Sequence, residues 1–244
     1  MRLDLFLSEF GYADSRTDAK RFIQSGAVLV NQKVITKPSY DVLPEDDITI
    51  DKSSKKYVSR GGLKLEAALD AFRVDPKGHN TIDIGASSGG FTDCLLKRGA
   101  THVIAVDSGS GQMVESLRID ARVTVIENFN ARYMSASDFE YSPQLAVMDV
   151  SFISAKLLFS AVYEILAPNS DFICLIKPQF EVGRTGLNKK GIVKNDQLRK
   201  KAVDEVLEFA SCCGFEIYGL IKSPIEGGDG NIEYLTHLRK GNVI

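Results

Sequence analysis

Thr81-Ile82-Asp83-Ile84-Gly85-Ala86-Ser87-Ser88-Gly89-Gly90-Phe91-Thr92 is the stretch whose reading decides the fold. A short apolar run ends in a loop of glycine, alanine and serine, and the pattern turns helical over residues 91–97. Strand, small-residue loop and helix open an α/β unit. Glycines there let the backbone approach a ligand at the carboxyl end of the strand. The alternation continues outward. Apolar runs at residues 81–84, 102–107, 123–126, 145–149, 172–176 and 215–221 are mostly separated by helical patterns. This predicts an α/β fold with a Rossmann-like, doubly wound sheet and helices on both faces.

The loop also selects its ligand. It is not GxGxxG, and it lacks the Lys-Ser/Thr pair of a phosphate-binding loop. Asp83, at the strand end, would repel a pyrophosphate and suits a cationic sulfonium, as in S-adenosylmethionine. About twenty residues on, the second strand ends in Asp107, an acid placed to accept hydrogen bonds from a ribose diol. The expected cofactor-binding residues are Asp83, Gly85, Ser87, Gly89, Gly90, Phe91 and Asp107, with Asn130 added from the segment after the third strand. A purely structural strand-turn-helix would use the same glycines, so the loop alone leaves that alternative open.

A methyl donor needs an acceptor. A ribose hydroxyl is a poor nucleophile, and a positioned base must take its proton as the methyl group is attacked. Lysine can serve only where burial or neighbouring cations lower its pKa. Lysines and carboxylates near strand ends are therefore the pattern to seek. Asp149 closes the fourth strand, Lys177 closes the fifth, and Glu233 lies in Gly230-Asn231-Ile232-Glu233-Tyr234-Leu235. Lys64 lies on the helix before the first strand. Read singly, Lys64 is equally a solvated helix lysine, and Glu233 a salt-bridge partner.

Residues 1–50 follow a different pattern. Leu3, Leu5, Phe6 and Leu7 open an apolar face, and Ser15 stands as an N-cap. Ala19, Phe22 and Ile23 make a helix stripe, with Gly26 as its terminal cap. The hydrophobic period then changes to two in Val28-Leu29-Val30, a turn at Asn31-Gln32-Lys33, and Val34-Ile35, followed by Ile48-Thr49-Ile50. The polar, basic residues 51–58 are the expected linker to a catalytic domain over 59–244.

These segments, taken in order, resemble the TlyA (hemolysin A) branch of FtsJ-like RNA 2′-O-methyltransferases. The matching segments are Ser59-Arg60-Gly61-Gly62-Leu63-Lys64-Leu65, the glycine loop from Asp83 to Asp93, Asp149-Val150-Ser151-Phe152-Ile153-Ser154, Lys177-Pro178-Gln179-Phe180-Glu181 and Gly230-Asn231-Ile232-Glu233. Arg2-Leu3-Asp4, Ser15-Arg16, Ala19, Ile23, Gly26, Val28, Val30-Asn31 and Lys37-Pro38-Ser39 resemble the small α+β S4-type RNA-binding domain that precedes the catalytic domain in that branch. The resemblance implies a catalytic tetrad of Lys64, Asp149, Lys177 and Glu233. In it Lys177 is the general base on the 2′-hydroxyl, Asp149 and Lys64 orient it and adjust its charge, and Glu233 holds the set. It further implies S-adenosylmethionine as cofactor, ribosomal RNA or ribosomal subunits as partner, and cytidine 2′-O-methylation as the activity. Asn128-Phe129-Asn130 fits the family pattern more loosely than the other segments.

Charge distribution supports an RNA partner where the total does not. The net charge is −2, yet residues 51–64 hold five basic residues against one acid, and residues 184–201 hold seven against one. Arg16, Lys20 and Arg21 lie within two turns of one helix, while acids gather over residues 41–47. With Arg2, Lys33 and Arg60 they are the expected phosphate contacts, which supply affinity without sequence information. Residues 184–201 read as a mobile basic loop beside Lys177 that could close over substrate.

Composition narrows the rival readings. No apolar run approaches the roughly 18–20 residues of a membrane span, so a pore-forming hemolysin and stable membrane association are not expected. Met1-Arg2-Leu3-Asp4 does not read as a signal peptide, which makes the cytoplasm the expected location. Cys94, Cys174, Cys212 and Cys213 show no metal-ligand spacing, and His79, His102 and His237 are scattered, so no metal is expected. An RNA-binding or ribosome-associated protein without methyltransferase activity remains the alternative function. A methyltransferase acting on protein or a small molecule is disfavoured by the N-terminal module.

Overall fold

The computed structural model describes residues 1–241 except 14, 25, 51–55 and 228–229, and for Asp18 and Arg21 the backbone alone. Residues 51–55 of the expected linker, with Lys52 and Lys55, and the side chain of Arg21 thus lie outside the described residues. The chain divides into two compact units, Met1–Gly61 and Gly62–Ile244.

In the first unit α1 (Leu3–Glu9) and α2 (Arg16–Gln24) pack beside β1 (Val28–Val30), β2 (Lys33–Val34) and β3 (Ile48–Ile50). The three strands form an antiparallel sheet in the order β2-β1-β3. Val30 pairs with Lys33, so only Asn31 and Gln32 make the turn, and both have positive φ (50° and 63°). That is the backbone a two-residue hairpin demands, and asparagine tolerates it well. Leu3, Leu7, Ala19, Ile23 and Val28 form the buried centre, with Ala19 and Ile23 on the expected helix stripe.

The second unit runs α3 (Gly61–Phe72), β4 (Asn80–Ile84), α4 (Gly90–Lys97), β5 (His102–Val106), α5 (Glu115–Arg118), β6 (Val123–Ile126) and β7 (Leu145–Met148). It continues with α6 (Lys156–Ile165), β8 (Asp171–Ile176), α7 (Asp196–Cys212), β9 (Phe215–Lys222) and β10 (Tyr234–Lys240). Its seven-stranded sheet has the order β6-β5-β4-β7-β8-β10-β9. The chain builds outward from β4 through β5 to β6, then returns to the other side of β4 with β7. This reversal leaves a crevice beyond the carboxyl ends of β4 and β7, where such sheets hold ligands. Strands β6 to β8 are parallel, and β10 runs antiparallel between β8 and β9.

Strand β10 was not expected, because Thr236, His237, Arg239 and Lys240 make it read as polar. Its buried polar groups are nevertheless partnered, which makes their burial tolerable. Thr236 donates to Gly219 O (2.9 Å), His237 Nε2 meets Asp171 Oδ1 (2.8 Å), and Lys240 Nζ donates to the carbonyls of Tyr163 and Leu166 (both 2.7 Å). The stretch 184–201 is likewise not one loop, since its last six residues are the first turns of α7. The remainder is a short hairpin: Leu187 bridges Val193, and Asn188 Oδ1 accepts from the amides of Lys190 and Ile192 (2.8 and 3.1 Å).

Candidate active site

At the crevice the glycine loop and the end of β7 touch. Asp149 N donates to Ile84 O (3.0 Å), and a Cβ on Gly85 would come within 2.4 Å of Asp149 O. Gly85 also has φ +85°, so glycine is required there on both counts. The loop closes against β5: Gly85 N and Ala86 N donate to Val106 O, and Ser87 N donates to Asp107 Oδ2 (2.7 Å). Asp107 Oδ1 accepts from Gly109 N (2.7 Å). Both carboxylate oxygens are thus anchored to backbone and each keeps a lone pair for a further donor.

Asp83 is fully buried in β4. Its Oδ2 accepts from Thr92 Oγ1 (2.7 Å), while Oδ1 has no hydrogen-bond partner. Burial pushes its carboxyl up to about 7, and the negative charges of Asp149 and Asp107 add to the rise. An orphaned buried oxygen, a loop of small residues and an anchored acid at the next strand end fit a cofactor that carries a cation and a ribose diol. Gly89 N-caps α4, and Gly90 and Phe91 are its first residues. The Phe91 ring belongs to the core, so that position offers only backbone to a cofactor. Asn130 spends its side-chain oxygen capping the Arg132 amide of a short 3-10 turn (3.1 Å).

The four expected catalytic residues fall into two ion pairs. Lys64 Nζ lies 2.5 Å from Glu233 Oε2, and both side chains are buried, 8% and 2% exposed. The solvated-lysine reading of Lys64 is thereby excluded. Lys177 Nζ lies 2.5 Å from Asp149 Oδ1. That oxygen has no partner in hydrogen-bonding geometry, so charge rather than a directed bond holds this contact. The topology explains how residues so distant in sequence meet. Asp149 and Lys177 immediately follow the parallel neighbours β7 and β8, while Glu233 immediately precedes β10, which runs the opposite way. Tyr234 pairs with Ile176, so the register sets Glu233 beside Lys177.

Lys177 and Glu233 line one cavity of about 350 Å³, together with Ser151, Phe152, Gln179 and Leu187. That is at the lower end of ligand pockets, roughly 300–1,000 Å³. Much of its lining comes from the segments that follow β7 and β8. Ser151 Oγ accepts from Lys177 Nζ (2.7 Å). Phe152 is 93% exposed at φ +64°, with its ring centroid 5.3 Å from that of Phe180. Gln179 Nε2 reaches Glu233 Oε1 (3.4 Å). The buried Glu181 accepts from Ser154 Oγ (2.6 Å) and Ala155 N (2.8 Å), clasping the loop after β7 to the loop after β8. Asn231 binds the 184–195 hairpin, donating to Gly191 O (3.1 Å) and accepting from Val193 N (3.3 Å). An exposed aromatic in a left-handed conformation beside a strand-end acid is the one signal that points to Phe152, and backbone conformation is not readable from residue types.

In the first unit, the expected RNA contacts include a built pair. Asp4 is fully buried and binds the guanidinium groups of both Arg2 (2.9 Å) and Arg16 (3.0 Å). Arg2 and then Arg16 hold its carboxyl down at about 2. The two arginines are therefore fixed in place while remaining about half exposed. Lys20 and Lys33 are exposed, and Arg60 is partly buried. Among the described residues, no group of His, Cys, Asp and Glu is placed to hold a metal ion, and no helix is long and apolar enough to cross a membrane.

Comparison with known proteins shows the family of each part of the chain. Residues 57–240 match the FtsJ-like methyltransferase family, and residues 1–48 match the S4 domain. The chain is 39% identical to the 16S/23S rRNA (cytidine-2′-O)-methyltransferase TlyA of Mycobacterium tuberculosis, over 98% of this chain and 89% of that protein. It is 42% identical to hemolysin A of Brachyspira hyodysenteriae, over 97% and 99%. A solved Streptococcus thermophilus structure carrying the hemolysin name has a TM-score of 0.79 at 42% identity, over 99% of this chain and 89% of that one.

Proposed function

This chain belongs to the FtsJ-like methyltransferase family, with an S4 domain in front, and from that premise we propose that it methylates the 2′-hydroxyl of a cytidine ribose in ribosomal RNA. Residues 1–50 bind RNA, residues 51–58 link, and residues 59–244 catalyse. The observation that carries the reading is the shared cavity in which Lys177 and Glu233 stand together, each in an ion pair, with Asp149, the partner of Lys177, packed against the glycine loop at Gly85.

S-adenosylmethionine supplies an electrophilic methyl group. The backbone of Gly85, Ser87, Gly89 and Gly90 gives its adenosyl and amino-acid parts close approach. Asp107 would accept from the ribose diol, and the buried carboxyl of Asp83 at the strand end would favour a positively charged group over a phosphate. Lys177 in its neutral amine form accepts the 2′-hydroxyl proton, and Asp149 stabilises the ammonium that forms. The Lys64–Glu233 pair fixes the wall of the cavity on the β10 side. Phe152, exposed at the mouth of the cavity, offers an aromatic face on which the base of the target nucleotide can stack while its ribose enters. Arg2, Arg16, Lys20, Lys33 and Arg60 supply phosphate contacts, with ribosomal subunits in the cytoplasm as the partner.

The test is transfer of labelled methyl from S-adenosylmethionine to ribosomal subunits, with ribose methylation mapped afterwards. Wild type should label a 2′-oxygen. Lys177→Ala should lose at least about 100-fold in rate while its affinity for S-adenosylmethionine stays within about twofold. Unmethylated RNA with wild type, or wild-type rates with Lys177→Ala, would overturn this reading.

A further inference from the structure

We infer that Ser151 is a positioning residue for Lys177, fixing the direction in which the amine presents its lone pair; this rests on the reading of Lys177 as the base. Lysine carries its nitrogen on four rotatable carbons, so proximity to a carboxylate leaves the head group free to turn. The contact with Asp149 at 2.5 Å is of that kind, because Asp149 Oδ1 has no hydrogen-bond partner in proper geometry. Ser151 Oγ, at 2.7 Å, instead accepts a directed hydrogen bond from Nζ. A neutral amine has two N–H bonds and one lone pair. Pinning one N–H on Ser151 confines the lone pair to a cone about that bond, and the attraction of Asp149 for the other N–H turns the lone pair to the side away from the carboxylate.

The surroundings of Ser151 favour this role over packing. Its side chain is exposed and lines the cavity with Lys177, so it fills no space in the core. The loop that carries it is held at both ends. Asp149 N is bound to Ile84 O, and Ser154 Oγ and Ala155 N are bound to Glu181. Those anchors set the distance between the hydroxyl and Nζ before any substrate arrives. In the reaction, the 2′-oxygen gives its proton to Nζ and forms a bond to the methyl carbon. The carbon–sulfur bond breaks with its electron pair left on sulfur. The ammonium formed then has one N–H on Ser151, one toward Asp149, and the new one where the hydroxyl stood.

The experiment compares Ser151→Ala and Ser151→Thr with wild type in the full chain, using S-adenosylmethionine and ribosomal subunits. Ser151→Ala should lower kcat about 10- to 100-fold, since a misdirected base loses alignment rather than binding. Its KM for subunits and Kd for S-adenosylmethionine should stay within about twofold. Ser151→Thr keeps the hydroxyl and should recover most of kcat. The inference is overturned if Ser151→Ala retains kcat within about twofold, if the alanine and threonine variants fall equally, or if the loss lies in KM alone. A wild type that leaves 2′-oxygens unmethylated overturns the functional reading itself, which separates the two failures.

Discussion

Lys64→Met should destabilise the catalytic unit by about 3–5 kcal/mol, the cost of breaking a buried ion pair from one side. The structure sets this magnitude. Glu233 is 2% exposed, and Lys64 Nζ at 2.5 Å is its close cationic partner. Among the described residues its other oxygen is met by Gln179 Nε2 at 3.4 Å, long for a hydrogen bond. Removing the ammonium therefore leaves a carboxylate with neither water nor counter-charge. For a unit of this size each kcal/mol shifts Tm by roughly 2–4 °C, so Tm should fall by about 6–20 °C. Glu233→Gln should cost a similar amount by stranding the ammonium. The double variant Lys64→Met/Glu233→Gln should return to within about 2 kcal/mol of wild type, because a neutral amide is far cheaper to bury than a lone charge. Far-ultraviolet circular dichroism during heating and urea unfolding measures all four proteins. The stabilisation given by added S-adenosylmethionine identifies the transition of the catalytic unit. A single variant within about 1 kcal/mol of wild type would refute the reasoning, as would a double variant no more stable than the singles. The double should still fail to transfer methyl groups, which separates stability from function.

Two further predictions concern charge. The carboxyl of Asp83 is pushed up to about 7 by burial, so the folded state holds its proton more tightly than the unfolded one. Wild-type stability should therefore fall as pH rises from about 4 to about 7 on this account. Asp83→Asn abolishes the titration. Its stability relative to wild type should climb through that window and level off above it, and urea midpoints differing equally at about pH 4, 6 and 8 would contradict this. In the N-terminal unit, Arg16→Ala with Lys20→Ala should weaken RNA binding and reduce the slope of log affinity against log salt by about one to two. S-adenosylmethionine affinity should be unchanged, and anisotropy titrations at several salt concentrations decide it.

The core of the fold was legible because its signals are local. The loop at residues 81–92, the strand-end acids Asp83, Asp107 and Asp149, and Lys177 each lie where their own neighbours in sequence place them. The period-two pattern of Val28–Val30 and the helix stripe of Ala19 and Ile23 are of the same kind. What escaped was settled by partners far along the chain. Strand β10 reads as a polar segment until Asp171, Gly219 and the carbonyls of Tyr163 and Leu166 are found to satisfy His237, Thr236 and Lys240. Lys64 could not be told from a solvated lysine, since its burial depends on Glu233. Phe91 was assigned to the cofactor from its place in a motif, yet its ring serves the core. Ser151 and Phe152 stood in plain view, but an exposed side chain gains a role only once a cavity forms beside it.

The pairing of Lys64 with Glu233 also sets a timetable. The partners are separated by 169 positions, so a ribosome adding about 5–20 residues each second needs roughly 8–34 seconds between them. For that interval α3 carries an ammonium whose partner does not yet exist, and β8 has an open edge until β10 arrives. The S4 unit, whose strands span only residues 28–50, needs no such wait. A nascent chain can therefore acquire its RNA grip well before it acquires its chemistry.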